Sequence, residues 1–185
     1  MGSFDPAHSG HMHVARTALR ALALDRVWWV PSPQNPLKPR QQPYARRAAT
    51  VQALGMPPRM RLAHVERDFG TVYTIRTLRA LTRRYPRIRF ILLMGADNLA
   101  QLPLWKSWQA VLHAVPLAVI ARPGPKTISA RTGRVARQFA PYRLSEAAAK
   151  TLKDRTPPAW VFLTTPLDRE SSSRIRAETA KRCEH

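Results

Sequence analysis

RIRFILLMG, residues 87–95, is an almost unbroken apolar run behind two arginines. A strand with one wet face alternates apolar and polar side chains. A continuous run marks a strand buried on both faces, as in a parallel sheet. The same form returns in PLAVIARPG (116–124) and AWVFLTT (159–165). RVWWVPS (26–32), cut off by prolines, and RMRLAHV (59–65) give two more strand signals. Between them lie helical spacings. Val14, Ala15, Ala18, Leu19 and Leu22 predict a helix over 11–24, another fits 44–54, and Ile75, Leu78 and Leu81 predict one over 74–85, closed by Pro86. A last helix begins among Ser171 to Ser173 and runs toward 182. Residues 31–43 read as a proline-punctuated loop, and 125–157 as a polar, basic segment with weaker helical patterning. Strands alternating with helices predict an α/β fold with a doubly wound, mainly parallel sheet, in one domain over 1–185. Such a sheet normally feeds a central strand into its opening turn, whereas this sequence starts at the turn. The expectation is a missing first central strand, with the true start upstream of Met1 or trimmed away.

The totals bound the function. With 44% hydrophobic residues in 185, the chain has the makings of a real core. No apolar run reaches the ~18 residues of a membrane span, and the polar start carries no basic-then-apolar signal pattern, so cytoplasm is the default expectation. Cys183 is the single cysteine, which excludes an intramolecular disulfide and a cysteine-based zinc site. The net charge of +20 invites a nucleic-acid reading. The arginines are scattered, however, with no basic tail and no aromatic–basic interleaving, so no dedicated nucleic-acid partner is expected.

In a doubly wound sheet, ligands bind where strands end and helices begin, and three segments fall there. GSFDPAHSGH (2–11) is a Gly-containing turn running into a helix N-terminus, a natural seat for phosphate. His8 and His11 at its end are donors to one anion, a cap beside an exposed ring, or two ligands of a metal that lacks a third nearby. LMGADNLAQLPLWKSW (93–108) offers Gly95 for close approach and Asp97 to accept from sugar hydroxyls. Trp105 and Trp108, one helical turn apart, are core residues or, in the loop that Pro103 suggests, a platform for a planar ligand. ESSSRIR (170–176) supplies hydroxyls, a helix start and Arg176; alone it reads as an N-cap with a surface arginine.

In this order the three segments resemble the nucleotidyltransferase superfamily with the signature G-x-F-D-P-x-H-x-G-H and a downstream S-S-[ST]-x-[IL]-R. Within it the chain is similar to the bacterial nicotinate-nucleotide adenylyltransferases, through VPSPQNPLK, YTIRTL, GAD followed by LPLW, ARPG and SSSRIR. The resemblance implies a Rossmann-like fold and transfer of the adenylyl group of ATP to nicotinate mononucleotide, with Mg²⁺ carried by ATP and no metal site of the protein's own. It implies catalytic roles for His8, His11 and Arg176. ATP would be held by Ser3, Phe4, Gly10, Gly95, Asp97, Ser172 and Ser173, and the mononucleotide by Asn35, Lys38, Thr77, Trp105 and Arg122. Met1 stands where the family has its first glycine, Leu37 where many members have histidine, Arg76 where an acidic or amide residue is common, and Glu170 where the serine motif opens on an apolar residue. The alternatives are a sister adenylyltransferase acting on phosphopantetheine or nicotinamide mononucleotide and, from another class, a non-catalytic nucleic-acid binder.

Overall fold

Helices and short strands alternate along the computed structural model, which describes residues 1–38, 40–121 and 125–164. The elements are α1 (Ser9–Ala21), β1 (Val27–Trp29), α2 (Tyr44–Gln52), β2 (Met60–Leu62), α3 (Val65–Asp68), α4 (Thr74–Arg84) and β3 (Leu92–Gly95). There follow α5 (Ala96–Gln101), α6 (Trp108–Ala114), β4 (Leu117–Ile120), α7 (Pro125–Thr132), α8 (Arg134–Gln138), β5 (Arg143–Leu144) and β6 (Trp160–Leu163). A 3₁₀ segment covers Glu146–Asp154.

Every strand pairing among the described residues is parallel, as the apolar runs predict. β3, β4, β6 and β5 form one sheet in that order, and β1 pairs with β2 in a second. The four-stranded sheet is covered on both faces. Leu92, Met94, Leu117, Val119, Trp160 and Phe162 point to the side filled by α4, α6 and α8. Ala118, Ile120, Val161 and Leu163 point to the other, where Ala18 and Leu22 of α1 meet Ala149 and Leu152. Helix α1 spans both sheets, because its earlier residues Met12 and Ala15 pack with Val27, Trp29 and Met60.

The strands are shorter than the apolar runs: 87–95 narrows to Leu92–Gly95, because only that part finds β4 beside it. The predicted helix 11–24 starts two residues earlier, where His8 caps it, and stops at Ala21 ahead of Ala23 at φ +48°. Two short helices, α3 and α5, are too brief to show a helical period and were not predicted. Segment 125–157 resolves into α7, α8, β5 and the 3₁₀ segment. The predicted helix over 171–182 lies outside the described residues.

Among the described residues no named strand joins the two sheets, and an isolated parallel bridge links Gly2 to Pro31.

Candidate active site

The opening turn is held by backbone hydrogen bonds to its neighbours. Gly2 N–H donates to the Val30 carbonyl at 3.1 Å, and Ser32 N–H donates to the Gly2 carbonyl at 2.9 Å. The Phe4 ring lies so close to Gly2 that a Cβ there would meet it at 3.3 Å. Phe4 itself has φ +49°, a left-handed conformation uncommon for a bulky side chain, and its ring is fixed against Trp29 and His11. Further on, Ala7 N–H donates to Thr50 Oγ1 and Gln42 N–H to Asp5 Oδ1.

His8 and His11 form a reciprocal cap at the start of α1. Gly10 N–H donates to His8 Nδ1 at 3.1 Å, and His8 N–H donates to His11 Nδ1 at 3.3 Å. Both Nδ1 atoms are therefore acceptors, so in each neutral ring the proton sits on Nε2, the far edge of the imidazole. The rings lie 3.9 Å apart between centroids. The cap and the donor pair are thus one device: capping the helix fixes the tautomer that turns each Nε2 into a donor. His11 lines the cavity in front of the helix, whereas His8 (buried) and Gly10 stand behind it.

Arg47, not singled out in the sequence, anchors this arrangement. It is 1% exposed. Its guanidinium donates to the carbonyls of Ser3 (2.7 Å), Ser32 (2.8 Å), Pro33 (2.8 Å) and Gln42 (2.8 Å), joining the opening turn to loop 31–43. Burial pulls its pKa below the usual guanidinium value, and Asp5 opposes that shift. The signal was present, because Arg47 lies one turn before Val51 on the apolar face of α2. Beside it, Asn35 Nδ2 donates to Ser3 Oγ at 3.1 Å, and its Oδ1 accepts from Leu37 N–H. Asn35 and Lys38 both line the cavity.

The opposite wall comes from the carboxyl end of β3. Gly95 and Asp97 line the cavity, and Asp97 Oδ1 is buried with no hydrogen-bond partner among the described residues. The two tryptophans separate. Trp108 begins α6 and is buried in the core, while Trp105 follows a 3₁₀ turn (Leu102–Leu104), half-buried on the cavity wall. They do not share a helix: Ser107 between them takes φ +52°. Lys106 lies over the Tyr73 ring at 4.7 Å. Thr77 is not on the cavity wall; it is fully buried, its hydroxyl 3.4 Å from Glu66 Oε1. Glu66 is a second residue missed in the sequence, 2% exposed and on the wall. Burial raises its pKa, against the lowering effects of the Met1 amine and the Ser32 and Thr77 hydroxyls. No sequence signal marked it, because α3 is a single turn.

The cavity has a volume of about 1620 Å³ and brings together Ser3, Phe4, His11, Asn35, Lys38, Gly95, Asp97 and Trp105. Donors from a helix start face an acidic acceptor and an indole. That combination suits a ligand with phosphates at one end and sugar and ring at the other. Among the described residues no group of three His, Cys, Asp or Glu is placed to hold a metal ion. No helix among them is long and apolar enough to cross a membrane. Arg122, Ser172, Ser173 and Arg176 lie outside the described residues.

Comparison with known proteins adds to this geometry. Residues 1–178 match the cytidylyltransferase-like family model. A protein of Cereibacter sphaeroides (strain ATCC 17023) named probable nicotinate-nucleotide adenylyltransferase is 49% identical over 177 residues, 95% of this chain and 93% of its own. A relative of the same name from Caulobacter sp. (strain K31) is 46% identical, covering 97% of this chain and 96% of its own. Among solved structures, Plasmodium falciparum nicotinic acid mononucleotide adenylyltransferase complexed with NaAD superposes with TM-score 0.72 at 16% identity, over 95% of this chain and 80% of that one. That likeness is one of fold.

Proposed function

The chain belongs to the cytidylyltransferase-like family, among its nicotinate-nucleotide adenylyltransferases, and on that premise we propose that it transfers the adenylyl group of ATP to nicotinate mononucleotide, releasing pyrophosphate. The observation that carries this reading is the pairing, across one cavity, of the His8–His11 cap with the wall of Gly95, Asp97 and Trp105. In this reading the ATP phosphates lie over the start of α1, where Nε2–H of His11, with His8 behind it, meets the charge developing on the phosphorus under attack. Asp97 accepts from the adenylate ribose. Asn35, Lys38 and Trp105 hold the mononucleotide, with the indole stacked on the pyridine ring, and Thr77 acts through Glu66. Arg122, Ser172, Ser173 and Arg176 complete the two subsites on the strength of their motifs.

The nucleophile is a phosphate monoester whose second pKa is ~6, so it is largely ionised at neutral pH and needs no general base. The protein's task is to align that oxygen with the α-phosphorus and to stabilise charge there and on the pyrophosphate leaving group. Mg²⁺ enters with the substrate as MgATP. The reading carries a single catalytic domain over 1–185 and a cytoplasmic location.

A substrate panel tests it. ATP is incubated separately with nicotinate mononucleotide, nicotinamide mononucleotide and phosphopantetheine, and the products are resolved chromatographically. The expected result is nicotinate adenine dinucleotide and pyrophosphate in equal amounts, with the other acceptors slower. Preference for another acceptor would move the chain to a sister activity. No product together with tight, strongly salt-dependent RNA or DNA binding would favour the nucleic-acid reading.

A further inference from the structure

Nicotinate mononucleotide and its amide share a phosphate, a ribose and a cationic pyridinium ring. They differ in one group, a carboxylate in the first and a neutral carboxamide in the second. An indole stacks on either ring. Telling the two apart takes a charge at the edge of the ring, because only the acid carries a group that a cation can meet there.

Lys106 is placed to supply that charge. It follows Trp105 directly, and both line the cavity, as does Tyr73 at the start of α4. The step from Trp105 to Lys106 is set between the 3₁₀ turn Leu102–Leu104 and Ser107, whose φ of +52° is uncommon for a residue with a side chain. That bend sends Trp108 into the core and leaves Trp105 and Lys106 on the wall. Lys106 Nζ lies 4.7 Å from the centroid of the Tyr73 ring, a cation–π contact that holds the ammonium against the wall. Tyr73 is itself fixed. Its N–H donates to Thr71 Oγ1 at 3.1 Å, and its carbonyl accepts from Arg76 N–H at 2.9 Å.

Two observations leave the ammonium open to a ligand. Among the described residues Lys106 makes no ion pair and no hydrogen bond, so the protein does not neutralise its charge. The surroundings of Tyr73 are also basic. Arg76 lies over the same ring at 5.5 Å, and the sequence carries no acidic residue between Asp68 and Asp97. Arg76 does not line the cavity, whereas Lys106 does.

We propose that Lys106 selects the acid over the amide: its ammonium pairs with the carboxylate on the nicotinate ring while Trp105 stacks on the face of that ring. The choice of ligand rests on the adenylyl transfer proposed above. The same ammonium repels the pyridinium of the amide, where no carboxylate offsets it. Selection thus has an attractive and a repulsive side.

The test measures binding of nicotinate mononucleotide and nicotinamide mononucleotide, each alone and without ATP, by titration calorimetry. Wild type is compared with Lys106→Met, which keeps the stem and removes the charge, and with Lys106→Arg, which keeps the charge. Lys106 is exposed, so Tm should be the same in all three. Wild type is expected to prefer the acid about tenfold, as a charge-assisted contact implies. Lys106→Met should lose most of that preference by weakening the acid about tenfold and the amide less than twofold, and Lys106→Arg should keep it. The proposal is overturned if Lys106→Met weakens both ligands alike, if it retains the preference, or if Lys106→Arg behaves as Lys106→Met does. Dinucleotide formation is scored in parallel. A wild type with the binding preference but no dinucleotide product would sink adenylyl transfer and leave the role of Lys106 standing. A wild type that binds and converts both acceptors alike would do the reverse, and one that binds neither would overturn both.

Discussion

The two sheets are held together by different physics. In the four-stranded sheet, β4 and β6 are buried along their whole length, and the cohesion is apolar packing on both faces. In the two-stranded half, the opening turn is fastened by polar contacts: the four carbonyls on Arg47, Thr50 on Ala7, and Asp5 on Gln42. Packing is tolerant of small movements, whereas a guanidinium in contact with four carbonyls fixes backbone atoms to a fraction of an ångström. The difference teaches a division of labour. The larger sheet supplies stability and one wall, and the smaller one supplies the precisely held groups to which the proposed reaction assigns the phosphates.

The largest break in that comparison is His11→Ala. Turnover is expected to fall by ~10²–10³-fold, with Tm lowered only by the loss of a capping contact, about 1 kcal/mol. A variant with normal Tm and more than about a tenth of the wild-type rate would remove His11 from the chemistry. Next comes a matched pair. Trp160→Ala in the apolar half and Arg47→Ala in the polar half should each cost about 3–5 kcal/mol, the first through a cavity and a lost bond to the Phe139 carbonyl, the second through four deserted carbonyls. Both should lower Tm by about 10 °C, but only Arg47→Ala should also raise KM for ATP when assayed well below its melting range. Equal KM values in the two variants would erase the distinction drawn between the halves.

Trp105→Ala should raise KM for nicotinate mononucleotide about tenfold, as loss of ring stacking implies, and leave KM for ATP nearly unchanged. An equal effect on both substrates would make Trp105 a packing residue like Trp108. The smallest effect is at Glu66. Its pKa is raised in the folded protein, chiefly by burial, so the native state holds this proton to higher pH than the unfolded chain does. Its contribution to stability therefore falls as pH climbs above the ordinary carboxyl value of about 4.5. Glu66→Gln should match the wild type in Tm in acid and gain on it toward neutrality. A difference independent of pH would refute the assignment.

The larger sheet was legible because its apolar runs are buried on both faces, a pattern written in consecutive residues such as Leu117–Ile120. The smaller half was legible only in part. RVWWVPS shows a strand, but nothing local says that it pairs with β2 in a sheet separate from β3, since that depends on residues far away in sequence. At the site, the motifs marked His8, His11, Asp97 and Trp105, whereas Arg47 and Glu66 escaped. Both act through tertiary contacts: Arg47 reaches Ser3 from 44 residues away, and Glu66 meets Thr77 across a turn. Thr77 shows the same limit from the other side. A motif named it, and the fold buries it behind Glu66.

The central claim is adenylyl transfer, and label tracking tests it most directly. The enzyme is given nicotinate mononucleotide with ATP carrying ³²P at the α-position or, separately, at the γ-position. The α-label should appear in the dinucleotide and the γ-label wholly in pyrophosphate. Appearance of the γ-label on the nucleotide product, or of the α-label in pyrophosphate, would contradict the account.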